Sequence, residues 1–160
     1  MGAKPDRVEQ VDSTAALDPN ARARPPELET PLDATRIIVI SPSGALSMEL
    51  ARELPCSRFQ VLDIRPGPRV LETARRERPR IAVIDGIDER PEAAQLEIAV
   101  LKELCPGVEI IALSHESSER DASVIEQGVF FYQAAASAGE LVRIIDAAER
   151  ASVTKRARRR

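Results

Sequence analysis

Asp85 closes the apolar run Ile81-Ala82-Val83-Ile84-Asp85. In an open α/β sheet the crevice beyond the carboxyl ends of the strands is where ligands bind, so a carboxylate there is the candidate reactive acid of the chain. A lone carboxylate holds a hard divalent cation poorly, because such a cation prefers octahedral oxygen ligation. Two readings of Asp85 stay open: a reactive acid, or a group that caps a loop and bonds to the hydroxyls of Ser41 and Ser114. Ser114 ends a second apolar run, Ile110-Ile111-Ala112-Leu113-Ser114, and is followed by His115, the sole histidine. No Asp or Ser stands near His115 in a motif that would make it a base, and its side chain is expected to be exposed. Cys56 and Cys105 lie 49 residues apart without a partner pair at metal-ligand spacing, which argues against a zinc site and a disulfide framework. They read as small apolar fillers in a reducing compartment. The sequence holds no G-x-G-x-x-G, no P-loop and no Ser, His, Asp or Cys, His constellation, so no enzymatic activity is expected.

A chain of 160 residues suffices for one domain with a continuous core. Hydrophobic residues make up 43% and aromatics 2%, so the core must be built from Ile, Val, Leu and Ala, and stacking platforms for bases are scarce. No stretch of 18 uncharged apolar residues occurs, and the first residues lack the apolar segment of a secretory signal; the expectation is a soluble, cytoplasmic protein. Lys155, Arg156, Arg158, Arg159 and Arg160 put five positive charges in the last six residues, and removing them from the net charge of −3 leaves −8. This basic tail, 152–160, reads as a solubilising, frayed helix end rather than a nucleic-acid arm.

Residues 1–34 mix Pro, Asp, Glu, Arg and Ala without a period of 2 or 3.6 and read as a disordered leader. From Arg36 onward short apolar runs alternate with amphipathic stretches, the pattern of βα units. Strands are expected at 36–40, 59–64, 80–85, 108–114 and 129–132. The helices between them should turn Leu46, Leu50, Ala51 and Leu54 inward in the first, and Val70, Leu71 and Ala74 in the second. The third, from Pro91, should turn Leu96, Ala99, Val100 and Leu104 inward. A fourth helix is expected over 117–127, and a last one over 139–152 with Leu141, Val142, Ile144, Ile145 and Ala148 on its inner side. The fold class is α/β, a doubly wound five-stranded parallel sheet of strand order 2-1-3-4-5, flavodoxin-like, in one domain over 35–151.

Over residues 36 to about 150 the chain resembles the receiver domain of two-component response regulators. The resemblance rests on Asp85 at the end of strand three, Ser114 at the end of strand four 29 residues on, and Gly128 and Tyr132 at the family's interval before the end of strand five. It implies that Asp85 occupies the phosphoacceptor position and that Ser114 and Tyr132 occupy the switch positions. The departures concern one step. Ser41 and Pro42 stand where the family has two Mg²⁺-holding acids, and Ala135 stands at the Lys position. Asp88-Glu89 replaces the apolar-Pro pair after the acceptor. Phosphoryl transfer is catalysed mainly by positioning and by neutralising oxygens; at about 1.5–3 kcal/mol per lost charged contact, three losses cost several powers of ten. A compensating ligand would have to come from Asp88 or Glu89.

The resemblance with these departures implies a pseudo-receiver without cofactor, acting by protein–protein interaction. The expected surface is the helix at 117–127, strand five and the last helix, with a histidine kinase, a downstream effector or a second copy as partner. With no effector domain in the sequence, output is expected to pass through another molecule. The alternative is a working single-domain response regulator phosphorylated on Asp85 with Mg²⁺. Neither membrane nor nucleic acid is an expected partner.

Overall fold

The computed structural model describes residues 34–115, 127–134 and 136–158. The leader up to residue 33, most of the helix expected over 117–127, Ala135 and the last two arginines lie outside the described residues.

The chain runs β1 (Thr35–Ile40), α1 (Ala45–Glu53), β2 (Phe59–Ile64), α2 (Arg69–Glu77), β3 (Ile81–Ile84), α3 (Pro91–Leu104), β4 (Glu109–Ser114), β5 (Phe131–Ala134) and α4 (Ala138–Ala157). All strand pairings are parallel and the order is β2-β1-β3-β4-β5, as expected. The central strands carry apolar side chains on both faces because both are covered. Ile38, Ile40, Ala82, Ile84, Ile110 and Ala112 meet Val70 and Ala74 of α2 and Ala94, Ile98 and Leu101 of α3. On the other face Ile37, Val39, Ile81, Val83, Ile111 and Leu113 meet Leu50 of α1 and Leu141, Ile145 and Ala148 of α4. Among the described residues no helix is long and apolar enough to cross a membrane.

Local signals explain the helix ends. Pro91 opens α3, where a missing N–H costs nothing. Ser137 and Glu140 form a reciprocal cap on α4: the Ser137 amide and hydroxyl donate to Glu140 Oε2, each at 3.0 Å, and the Glu140 amide donates to Ser137 Oγ at 3.3 Å. These bonds hold the Glu140 carboxyl below its ordinary pKa.

Several expectations need correction. In α3 the buried face is Ala94, Glu97, Ile98 and Leu101, while Leu96 is 66% exposed and Ala99 is exposed. Two sets of residues in this helix have helical spacing, and the sheet takes the one that also brings Cys105 under the layer. Leu71 of α2 and Ala51 of α1 point outward as well. β5 starts two residues later than expected, since Gly128 turns at φ +71° and the Phe130 amide first joins the Ile110 carbonyl.

The last helix does not end near Ser152. It continues through Ala157 with Ser152 buried, because its second half is tied to the amino-terminal edge of the sheet. Thr35 Oγ1 donates to Glu149 Oε1 at 2.8 Å, Arg58 Nη2 to Asp146 Oδ1 at 3.2 Å, and Lys155 Nζ to both oxygens of Glu109 at 2.7 and 3.0 Å. The Glu109 side chain is only 4% exposed. Lys155→Ala would strand a buried carboxylate and is expected to lower the unfolding free energy by about 1–3 kcal/mol, read as a shifted urea midpoint with unchanged slope.

Candidate functional site

The carboxyl ends of the three central strands bring Ser41, Asp85 and Ser114 into one crevice. Asp85 lies one residue beyond β3, yet its amide still donates to the Ile40 carbonyl at 2.9 Å, so the backbone under its side chain is held as firmly as a strand. The Ser41 amide is fixed in the same way by the Ile64 carbonyl at 3.2 Å. From this position Ser41 Oγ donates to Asp85 Oδ2 at 2.9 Å, with Ser41 fully buried and Asp85 8% exposed.

The other carboxylate oxygen is taken by a residue that spacing alone did not connect to the site. His115 Nε2 lies 3.1 Å from Asp85 Oδ1. As a neutral ring protonated on Nε2, or as an imidazolium, His115 donates to Asp85. Its side chain is 54% exposed, as expected, but it is the solvent-side cover of the carboxylate rather than a bystander. Its own amide donates to Asp88 Oδ1 at 2.9 Å, which ties the loop after β3 to the loop after β4. Gly86 takes the left-handed turn that leads away from Asp85. It sits at φ +66°, and a Cβ there would stand 3.4 Å from His115 Cδ2 and 3.6 Å from Glu89 Oε2.

The signal for His115 was present in the register. Ile84 pairs with Ala112, and the Ile87 amide donates to the Leu113 carbonyl at 3.0 Å, so the loops leaving β3 and β4 remain neighbours. A strand alignment would therefore have placed His115 beside the loop at Asp85.

Below the crevice a second polar group appears that sequence reasoning did not single out. Arg90 Nη1 lies 2.8 Å from each oxygen of Glu97, and Arg90 Nη2 donates to the Asp85 carbonyl at 3.4 Å. The Gly67 amide donates to the same Glu97 at 3.3 Å. Arg90 and Glu97 side chains are 15% and 6% exposed, so this ion pair is nearly desolvated and links the loop after β3 to the start of α2.

The other candidates take these places. Ser114 is buried at the end of β4, and Pro42 is exposed beside Ser41 with its carbonyl accepting from Arg65 Nη1. Tyr132 is partly buried on the face shared with α2 and α3, opposite the face of α4. Ala135 lies outside the described residues.

Many solved structures share this fold, and three of them illustrate it. A response regulator from Thermotoga maritima aligns at TM-score 0.63 with 17% identity, covering 72% of this chain and 97% of its own. The signal receiver domain of a modulated diguanylate cyclase from Desulfovibrio desulfuricans aligns at 0.61 with 20% identity over 77% of this chain and 99% of its own. The fold is that of a response-regulator receiver domain. A response regulator from Burkholderia pseudomallei, crystallised with a phosphorylated aspartic acid, a calcium ion and citrate, shares this receiver fold at TM-score 0.60, with 19% identity over 76% of this chain and 72% of its own. No protein-family model and no curated protein matches the sequence.

Two hydrogen-bond donors stand against Asp85. Its oxygens face a hydroxyl and an imidazole. Both can donate hydrogen bonds to a carboxylate, and neither offers the anionic oxygen that a magnesium ion selects. Ser41 and His115 therefore add no ligand of the kind a hard divalent cation selects.

Proposed function

We propose that this chain is a pseudo-receiver: a signalling module of a two-component pathway that docks to protein partners without regulated phosphorylation of Asp85. The observation that carries the reading is the engagement of both Asp85 oxygens, one by Ser41 and one by His115. An acceptor carboxylate must present a free oxygen to the incoming phosphorus while a cation neutralises the transferred group. Here a buried hydroxyl occupies one oxygen and a ring covers the other. Ser41 and Pro42 supply no anionic ligand, and Asp88, one candidate for compensation, accepts the His115 amide.

In this reading Asp85 is structural. It joins the ends of β1, β3 and β4 into one rigid rim, with Ser114 and Tyr132 as packed groups at the positions where a working receiver switches. The module performs no catalysis and needs no cofactor. Its partner is a histidine kinase or a downstream effector, met through an exposed surface. Two free cysteines, Cys56 exposed and Cys105 buried, support work in a reducing cytoplasm.

The test is incubation with acetyl phosphate and Mg²⁺, followed by intact-mass measurement of the wild type and Asp85→Ala. The expected result is the same unmodified mass for both. Addition of a phosphoryl group to the wild type, lost in Asp85→Ala, would establish a working response regulator instead.

A further inference from the structure

The outward sides of α2 and α3 are poorly suited to water. Between the two helices runs an apolar groove of about 330 Å³, with Val70 and Val100 in its walls and Leu71 and Leu96 at its edge. Leu96 is 66% exposed and Leu71 39%, the pair whose outward orientation corrected the expected helix faces. Neighbouring large apolar side chains held in water beside an open groove mark an interaction surface more often than a solvated one.

Arg75 follows Leu71 by four residues on α2 and Glu103 follows Leu96 by seven on α3, spacings that keep each charge on the exposed stripe of its helix, and these charges indicate what covers the groove. Arg75 on α2 and Glu103 on α3 are both exposed, and among the described residues neither has an ion-pair partner. The two helices run in the same direction, since each leads from the carboxyl end of one parallel strand to the start of the next. The hydrogen bond from the Gly67 amide to Glu97 sets their relative height. At the other end Cys105 Sγ lies 3.4 Å from the Ala74 carbonyl, so Arg75, next after Ala74, and Glu103, two residues before Cys105, stand within about one helical turn of each other along the layer.

We propose that this face is the interface of a parallel two-fold dimer of this chain. A two-fold axis parallel to the helices lays α2 of one copy over α3 of the other. It preserves depth, so Arg75 meets Glu103 of the second copy, and the same contact recurs on the other side of the axis. Leu71 and Leu96 of both copies then fill the facing grooves. The pairing is self-complementary in charge and in shape, which a contact of α2 with α2 or of α3 with α3 is not.

Sedimentation velocity from micromolar to millimolar protein tests the inference. The wild type is expected to pass from monomer to dimer over that range. Leu96→Glu, at an exposed position where the far-ultraviolet dichroism should stay native, is expected to raise the dimer dissociation constant about tenfold or more. Arg75→Glu should weaken the dimer several-fold, and Arg75→Glu with Glu103→Arg should recover it, because the reversed pair restores both contacts. A wild type that stays monomeric throughout would overturn the proposal and leave the groove to a different partner. So would a dimer indifferent to Leu96→Glu, which would place the contact on another surface.

Discussion

Glu97→Ala is expected to lower the unfolding free energy by about 3–5 kcal/mol, the loss typical of removing one partner from a buried ion pair. Glu97 accepts both short bonds from Arg90 and a third from the Gly67 amide, in a position 6% exposed. Without it the Arg90 guanidinium is left largely desolvated with one long bond to the Asp85 carbonyl. Urea unfolding gives the magnitude, and amide exchange should locate early opening in the turn at 86–90. Replacing both partners, Arg90→Met with Glu97→Leu, should recover most of the loss, because no uncompensated charge remains. A double variant as unstable as the single one would show that the pair does more than neutralise itself.

The second large effect is a gain. Ser41→Asp with Pro42→Asp restores two carboxylates beside Asp85, where like charges destabilise the metal-free protein. Magnesium should then become a stabilising ligand. At a hundredfold excess over its dissociation constant a bound cation adds about 2.7 kcal/mol, visible as a melting temperature that climbs with Mg²⁺ in the variant and stays level in the wild type. Because Ser41 is fully buried, Pro42→Asp alone, at an exposed position, serves as the milder comparison and should show a smaller rise. Equal stabilisation of the wild type would mean that Asp85 holds the cation without acidic neighbours.

The sheet was legible because its strands obey a simple rule. Runs such as Ile37-Ile38-Val39-Ile40 are apolar on both faces, as a strand covered on both sides should be, and 2-1-3-4-5 is one of the few orders that connection rules allow. The faces of α3 were not legible. The set at 96, 99, 100 and 104 is uniformly apolar, whereas the set that is buried contains Glu97, tolerated there because Arg90 reaches it through tertiary packing. The length of α4 was hidden similarly: Lys155 reads as part of a basic tail until Glu109, far away in the chain, is seen to receive it.

The crevice was readable to the extent that it follows strand ends. Asp85, Ser41 and Ser114 needed nothing more, and the bond between Ser41 and Asp85 was among the arrangements foreseen. The partnership of His115 with Asp85 required the pairing of β3 with β4, a long-range fact with no local motif. The side taken by Tyr132 follows from the register of β5 on β4, where it pairs with Ala112, another long-range fact.

The central claim is that the Asp85 carboxylate is committed to a hydroxyl and an imidazole rather than available to a cation and a phosphoryl group. Heteronuclear NMR of the His115 ring, with Mg²⁺ and beryllofluoride titrated together, tests it most directly. The ring resonances should stay unmoved at millimolar ligand. A saturable displacement of those resonances, abolished by Asp85→Ala, would contradict it.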